Sequence, residues 1–123
     1  MDTKKLEKTV RGFSNHRRIQ IMELLEKKPE LSVFEISHAL KVNFKTISEH
    51  LRRLANAGLV SKRNIAAEVE HALSDSGKQV LKFLRTLESH FYGPRNKKLS
   101  AMSRFSLRPT VGEKKIEDAR FYR

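Results

Sequence analysis

The stretch from residue 44 to residue 57 carries the side chains whose types and spacing best suit a chemical role. Its apolar residues Ile47, Leu51 and Leu54 recur at i, i+4 and i+7, which places them on one face of a helix. The positions that then turn outward carry Phe44, Lys45, Ser48, Glu49 and Arg52. Lysine and arginine donate to guanine, glutamate accepts from the cytosine amino group, and serine serves either role. These residues therefore have the chemistry of a surface that reads base edges in a major groove, which is about 12 Å wide and admits one helix.

Further basic side chains suit the phosphate backbone rather than the base edges. Two lie near a predicted helix start, one follows the outward face just described, and two lie on a predicted hairpin: Arg17, Arg18, Arg53, Lys62 and Arg63. Such side chains donate to phosphate oxygens without reading sequence. A single basic residue is weak evidence, because charged side chains usually form a solvated surface. We expect phosphate contacts from these residues as a group.

The charge balance agrees with an anionic partner. The 123 residues include 26 lysines and arginines against 14 aspartates and glutamates, a formal net charge of +12. This balance is typical of proteins that bind nucleic acid or an anionic membrane. No apolar run exceeds three residues, so we expect no membrane-spanning segment and a cytoplasmic protein. The length suits one small domain with an appendage, and the absence of cysteine excludes disulfides and thiolate metal sites.

Apolar spacing predicts the elements that precede the outward face. Leu6, Val10 and Phe13 have the spacing of a first helix, and Ser14 or Asn15 then caps a second one. Each of these helices has an apolar stripe that must be buried against a neighbour. They therefore belong to the core that supports the stretch from residue 44 onward.

A third and a fourth helix follow with a very short turn between them. Ser32 and Glu35 form a capping box that opens the third helix. Asn43 caps the fourth helix, which we predict from Phe44 to Ala57, and Gly58 closes it. Helices joined by so short a turn cannot lie antiparallel, so the fourth must cross the third steeply, as in a helix-turn-helix.

An extended segment and a fifth helix complete the predicted domain. From Leu59 to Leu73 the pattern favours a β-hairpin that turns near Ala66-Ala67, although this turn lacks glycine, asparagine and aspartate. Ser74 opens a fifth helix with apolar residues at helical spacing, and Gly93-Pro94 ends it. The fold class is therefore mainly α with a small β-hairpin.

We place the domain boundary after this helix, with a DNA-binding and dimerisation domain at 1–92 and a basic tail at 93–123. The tail holds nine lysines and arginines against three acidic residues, so its net charge of +6 equals that of the much longer domain. It has no strong period, which leaves disorder and a docked arm both open. Its aromatic residues Phe105, Phe121 and Tyr122 favour a protein partner for the tail.

The first and fifth predicted helices carry more apolar surface than one small core needs. The residues concerned are Leu6, Val10, Phe13, Val80, Phe83, Leu84, Leu87 and Phe91. They predict an interface between two copies of the chain, and closure of the monomer core is the alternative. A dimer would read a palindromic site with half-sites about one helical turn apart.

The stretch Thr46-Ile47-Ser48-Glu49-His50-Leu51, followed by Ala57-Gly58-Leu59-Val60, resembles the recognition helix of the ArsR family of bacterial and archaeal repressors. His71 to Gly77 similarly resembles the end of the wing in ArsR-type and MarR-type regulators. The resemblance covers about residues 10–92 and implies a winged helix-turn-helix fold and a role in repression. It adds Thr46 to the DNA-reading residues. We interpret His50 as packed, because a helical histidine beside core positions is more often structural.

The chain departs from that family at two kinds of site. The family often has two cysteines in a metal-binding helix, whereas Ser32 and Phe34 stand at those positions and cannot supply thiolates. The family's other metal site would begin at Glu88 and His90, but no histidine follows residue 90. We therefore expect no metal and no cofactor. Glycine and arginine, common near the family's wing tip, are replaced here by Ile65 to Glu68, which makes wing contacts with a minor groove doubtful.

The sequence thus predicts a homodimeric winged-helix regulator of transcription, with a repressor as the expected form and residues 44–57 in the major groove of double-stranded DNA. The scattered glycines match no phosphate-binding loop or nucleophile motif, so we expect no enzyme. The alternative is a winged-helix protein-interaction module with the basic tail as a docking arm. General RNA or chromatin-like binding is a third reading.

Overall fold

The computed structural model describes residues 1–94 as five helices and three strands. The helices are α1 (Thr3–Phe13), α2 (His16–Lys27), α3 (Val33–Leu40), α4 (Phe44–Asn56) and α5 (Asp75–Tyr92). The strands are β1 (Leu31–Ser32), β2 (Val60–Ile65) and β3 (Glu68–Leu73). Every predicted helix and the predicted hairpin are confirmed. Beyond residue 94 the predicted tail lies outside the described residues.

Side-chain caps define where the central helices begin. The Asn15 carboxamide accepts hydrogen bonds from the Arg17 and Arg18 amides at 2.9 and 3.2 Å, which starts α2. At α3 the Ser32 hydroxyl accepts from the Glu35 amide at 3.2 Å, and the Glu35 carboxylate accepts from the Ser32 amide at 2.9 Å. Asn43 caps α4 in the same way as Asn15 caps α2. These caps satisfy amide donors that a helix start otherwise leaves unpaired.

The turn between α3 and α4 is tight and held by its own hydrogen bonds. Lys41 ends α3 in the left-handed region with φ 56° and ψ 45°. The Ser37 hydroxyl donates to the Val42 carbonyl at 2.8 Å, and the Val42 amide donates to the Ser37 carbonyl at 3.1 Å. The turn therefore fixes the direction in which α4 leaves α3, as the predicted helix-turn-helix requires.

The three strands form an antiparallel sheet in the order β1-β3-β2. In the hairpin Val60 pairs with Leu73 and Ile65 pairs with Glu68, so the turn consists of Ala66 and Ala67, as predicted. Ala66 has φ 56°, a value that asparagine or glycine adopts more readily. The strand β1 was not predicted, because a pair of residues between a proline-containing loop and a capping box has no strand pattern.

The core lies where α2, α3, α4 and the hairpin meet. Its fully buried side chains come from α2, α3, α4, the residue before β2 and α5: Ile21, Met22, Leu25, Ile36, Ile47, Leu51, Leu54, Leu59 and Leu81. The three apolar residues predicted for the inner face of α4 are all among them. Their burial supplies the hydrophobic stabilisation of the domain and turns the other face of α4 outward.

A glycine brings α1 unusually close to the end of α4. A Cβ placed on Gly12 would lie 2.4 Å from the Ala57 Cβ, far inside van der Waals contact. Ala57 ends α4, and Gly58 follows it with φ 78°, the left-handed conformation predicted for this position. Because glycine has no side chain, residue 12 allows the two helices to lie this close together.

Residues 1–83 form one unit, and the described residues from Leu84 onward belong to a second, so the last part of α5 is described by itself. None of the helices within residues 1–94 has the length and apolar content needed to cross a membrane.

Candidate nucleic-acid interface

The outward face of α4 carries the residues that the sequence predicts to read base edges. All six predicted base-reading residues are exposed: Phe44, Lys45, Thr46, Ser48, Glu49 and Arg52. We call these six residues the α4 outer face. The Asn43 cap sets where the helix begins, and the buried apolar residues of α4 fix its rotation about its own axis. The structure therefore brings the predicted residues together on one side of one helix.

Three of the charged residues on and beside this face form a single ion-pair cluster. The Arg52 Nε donates to Glu49 Oε1 at 3.1 Å, and the Arg52 Nη2 donates to Glu49 Oε2. The Arg53 Nε also donates to Glu49 Oε2, at 3.2 Å. Hydrogen bonding from Arg52 is the main reason that the pKa of Glu49 falls to about 2. The carboxylate is therefore ionised at neutral pH, and two arginines share it.

A second cluster ties α4 to α2 behind the outer face. The Arg18 Nη1 lies 3.2 Å from the Nδ1 of His50, and the Arg18 Nη2 donates to the Arg11 carbonyl at 3.3 Å. Because a guanidinium only donates, Nδ1 accepts and the imidazole is neutral with its proton on Nε2. Burial, and then the charges of Arg18 and Arg53, lower the pKa of His50. His50 thus has a protein partner, in keeping with its interpretation as a packed residue.

Arg18 is not a freely exposed side chain of the kind expected to contact a phosphate. Its side chain is partly buried, and its Nε has no hydrogen-bond partner among the described residues. Burial and the charge of Arg53 lower its pKa. Arg17 is also partly buried and donates from Nη1 to the Gln20 carboxamide at 3.1 Å. The other predicted phosphate residues, Arg53, Lys62 and Arg63, are exposed.

On the hairpin, the predicted phosphate residue Arg63 has two acidic neighbours. The Arg63 guanidinium is ion-paired with Glu30, and Glu70 lies directly opposite Arg63 on β3. Burial and the neighbouring carboxylates, Glu30 first among them, raise the pKa of Glu70. Glu30 lies 33 residues from Arg63 in sequence, so no local pattern could have predicted this pair.

The tip of the hairpin is apolar, as its sequence indicated. Ile65 and Val69 are each 42% exposed, and the turn between their strands is Ala66-Ala67. With Arg63 engaged by Glu30, the exposed part of the wing offers few donors to a phosphate. That this wing contacts a minor groove poorly stays a prediction.

The predicted dimer residues differ in exposure. On α1, Leu6 and Val10 are about half exposed, whereas Phe13 is buried within the protomer. On α5, Phe83 is exposed and Val80 is half-buried. In the second unit Leu87 and Phe91 are exposed and Leu84 is half-buried. The residues that retain apolar surface for a partner are therefore Leu6, Val10, Phe83, Leu87 and Phe91.

The two positions at which the resemblance implies metal-binding cysteines have other roles here. The Ser32 hydroxyl caps α3, and the exposed Phe34 ring stacks on His38 with centroids 6.2 Å apart. Neither side chain supplies a soft anionic ligand. Within residues 1–94, no three histidine, aspartate or glutamate side chains lie close enough together to hold a metal ion.

The sequence predicted which face of α4 is exposed but not the contacts within that face. The spacing of Glu49 to Arg52 and Arg53, i to i+3 and i+4, is itself a signal for ion pairs on a helix surface. The contact between Arg18 and His50 joins two helices and has no such local signal.

Comparison with known proteins identifies what this arrangement is similar to. The family model described as "Bacterial regulatory protein, arsR family" matches residues 15–62. The transcriptional activator HlyU of Vibrio cholerae serotype O1 is 37% identical over 67 residues, which are 54% of this chain and 61% of that protein. The matched segment therefore spans less than two thirds of this relative's length.

Solved structures agree with the fold. A structure of HlyU from Vibrio cholerae is 33% identical, with a TM-score of 0.62, and the match covers 71% of this chain and 97% of that one. The homodimeric winged helix-turn-helix DNA-binding domain of Mb0332 from Mycobacterium bovis has a TM-score of 0.63 at 24% identity, covering 73% of this chain and 82% of that one. The predicted winged helix-turn-helix fold is confirmed.

Proposed function

Because the chain belongs to the arsR family of bacterial regulatory proteins, a family of regulators and not of enzymes, we propose that it is a homodimeric, sequence-specific DNA-binding regulator of transcription. The observation that carries the proposal is the α4 outer face. It projects six exposed side chains from a helix whose opposite side is locked into the core. The helix is fixed by a tight turn and belongs to a chain of net charge +12.

In this proposal α4 lies in the major groove and its outer face contacts base edges. Arg53, beside that face, and Lys62, on the wing, contact phosphates. Arg18 supports α4 from behind by holding His50, whereas Arg17 donates to Gln20 within α2 and contacts phosphate in competition with that hydrogen bond. One nitrogen of Arg63 is engaged by Glu30, so any contact of Arg63 with phosphate competes with that ion pair.

Two copies of the chain would present two such helices. We propose that the exposed apolar residues of α1, Leu6 and Val10, and those of α5 contact the second protomer. The similar winged helix-turn-helix domain from Mycobacterium bovis is homodimeric, which supports this assembly. A two-fold dimer reads a palindrome whose half-sites lie about one helical turn apart.

We propose repression as the direction of regulation, as the family resemblance implies. A dimer bound across a promoter excludes other proteins from the same grooves. The relative HlyU is called a transcriptional activator, so a reporter gene behind the selected operator must be read in both directions. Lower reporter output with the protein present supports repression, and higher output overturns it.

The experiment that tests DNA reading is selection from a random-sequence duplex pool at about 0.15 M salt, where surface charge is largely screened. We expect a palindrome with half-sites about one turn apart. The double variant Arg52→Ala with Arg53→Ala should lose preference for this site and remain folded. The matched control is Lys27→Ala with Lys28→Ala, which removes the same charge at the far end of α2. Binding without any preferred sequence would refute the proposal.

A second candidate function is a winged-helix protein-interaction module, which the exposed Ile65 and Val69 at the wing tip favour. Deleting residues 94–123 separates the two functions. If the salt dependence of DNA binding falls by several units of slope, the tail contacts phosphates, because each phosphate contact contributes about 0.9 to the slope. If operator affinity and slope are unchanged, the tail serves a protein partner.

A further inference from the structure

We propose that Glu49 is a positioning residue that holds Arg52 in the orientation needed to read one guanine in each half-site. This inference rests on the proposed DNA-binding function. It replaces the expectation that Glu49 itself accepts from a cytosine amino group. Three N–H groups from two arginines meet the Glu49 carboxylate, and this cluster lies at the C-terminal end of the α4 outer face, with Arg53 beside it.

The geometry of the guanidinium supports the assignment. Arginine carries five N–H donors in one plane, with a side edge formed by Nε and one Nη and an end edge formed by both Nη groups. Glu49 engages Arg52 through Nε and Nη2, which is the side edge. Among residues 1–94, Arg52 has no other hydrogen-bond acceptor, so the end edge stays available. Two parallel donors on that edge match the O6 and N7 acceptors of guanine.

The occupancy of the carboxylate argues against direct reading by Glu49. Both of its oxygens already accept hydrogen bonds, and Oε2 accepts from both arginines. Three charge-assisted hydrogen bonds thus occupy three of the roughly four acceptor sites of the carboxylate, and a neutral cytosine amino group would be the weaker partner at the site that remains on Oε1. Its acidic pKa of about 2 keeps the carboxylate ionised and the arginines attracted at neutral pH.

The benefit of the cluster lies in orientation rather than in fold stability. Its side chains are about half exposed to solvent, where an ion pair stabilises a protein little. A free arginine side chain loses much rotamer freedom on binding, and an anchored one loses less. Within the part of the chain that the structure describes, Arg53 is held through its Nε, which leaves its terminal nitrogens to donate to a phosphate.

The test uses the full chain and the operator recovered by selection. Each guanine of a half-site is replaced singly by 7-deazaguanine, which pairs normally but lacks the N7 acceptor. We expect one guanine per half-site at which this change weakens wild-type binding by about tenfold, within the range for a bidentate arginine contact. Arg52→Ala should bind both duplexes equally. Glu49→Gln should reduce the penalty to about threefold or less.

Two controls separate this role from a general effect. Glu23→Gln removes the same charge from an exposed position on α2 and should keep the full tenfold penalty. Thermal unfolding of Glu49→Gln should match that of the wild type, because the carboxylate is exposed. A merely structural role would change stability and leave the base-specific penalty intact.

The outcomes divide cleanly. A full penalty in Glu49→Gln, or no guanine whose N7 matters, overturns the inference while operator binding stands. Glu49→Gln can also be compared in the wild-type and the Arg52→Ala backgrounds. If it lowers discrimination at a cytosine in both, Glu49 reads that base directly, and this result overturns the inference too. Failure of the selection to yield any operator is a failure of the proposed function, seen before 7-deazaguanine is used.

Discussion

Replacing Gly12 by alanine tests the close approach of α1 and α4 most directly. The added Cβ would lie 2.4 Å from the Ala57 Cβ, whereas carbon atoms in contact prefer about 3.5–4.0 Å. The helices must therefore separate by about 1.1–1.6 Å at this point. Overpacking of this kind costs about 1–3 kcal/mol, and the higher helix propensity of alanine returns up to about 1 kcal/mol. We expect Gly12→Ala to lower the free energy of unfolding, by up to about 2 kcal/mol.

The assay is equilibrium urea unfolding followed by circular dichroism, with midpoint and slope compared between variants. The second variant is Ala57→Gly, which removes the methyl group that the new Cβ meets. The double variant should recover most of the loss, because the two substitutions share one contact. A Gly12→Ala protein that is more stable than the wild type, by the propensity of alanine alone, would refute the reasoning.

Three further predictions follow from single contacts. Lys41→Gly should stabilise the chain by about 0.5–1 kcal/mol in urea unfolding, because Lys41 adopts the left-handed region that glycine tolerates. His50→Gln should weaken the loss of stability below pH 6.5: the folded-state pKa of His50 is lowered from 6.5, so stability is present above that pH and is lost as pH falls through the folded value. Glu30→Gln should release Arg63 and raise the slope of log affinity against log salt by about one, measured on non-operator DNA.

Each of these predictions has a matched comparison. Lys27→Gly, within α2, should destabilise, and equal effects at residues 27 and 41 would contradict the conformational argument. For His50→Gln the comparison is the wild type, and parallel stability curves against pH for the two proteins would be the contradicting result. Glu23→Gln controls for the loss of one negative charge, and the same slope as in Glu30→Gln would mean that Arg63 was already available.

Much of the fold could be predicted because its signals are local. Asn15, Ser32 and Asn43 each cap a helix through hydrogen bonds that span two or three residues. The apolar period of α4 also gave the correct inner face, since burial of those residues leaves one rotation of the helix. The hairpin turn was placed correctly from strand pattern alone, even though Ala66 lacks the usual turn chemistry.

The sequence predicted which residues of the candidate site are exposed but not which contacts they make. Which residues face outward from α4 follows from periodicity, whereas the direction of Arg18 depends on where α1 and α4 pass behind it. The pairing of Arg63 with Glu30 depends on the loop before β1 meeting the hairpin, which no pattern within either segment encodes. Charge counts from the sequence therefore do not show which basic side chains have partners within the protein.

The capping box at Ser32 restricts how this chain could acquire a response to metal. Ser32 occupies a position where the family resemblance implies a thiolate ligand, and its hydroxyl is already engaged in starting α3. Substituting cysteine there would exchange the cap for a metal ligand, at a cost of about 1 kcal/mol to the helix that carries the turn into α4. Folding and effector sensing thus compete for the same side chain. Any evolutionary route to a metal-responsive form would first have to stabilise α3 by other means.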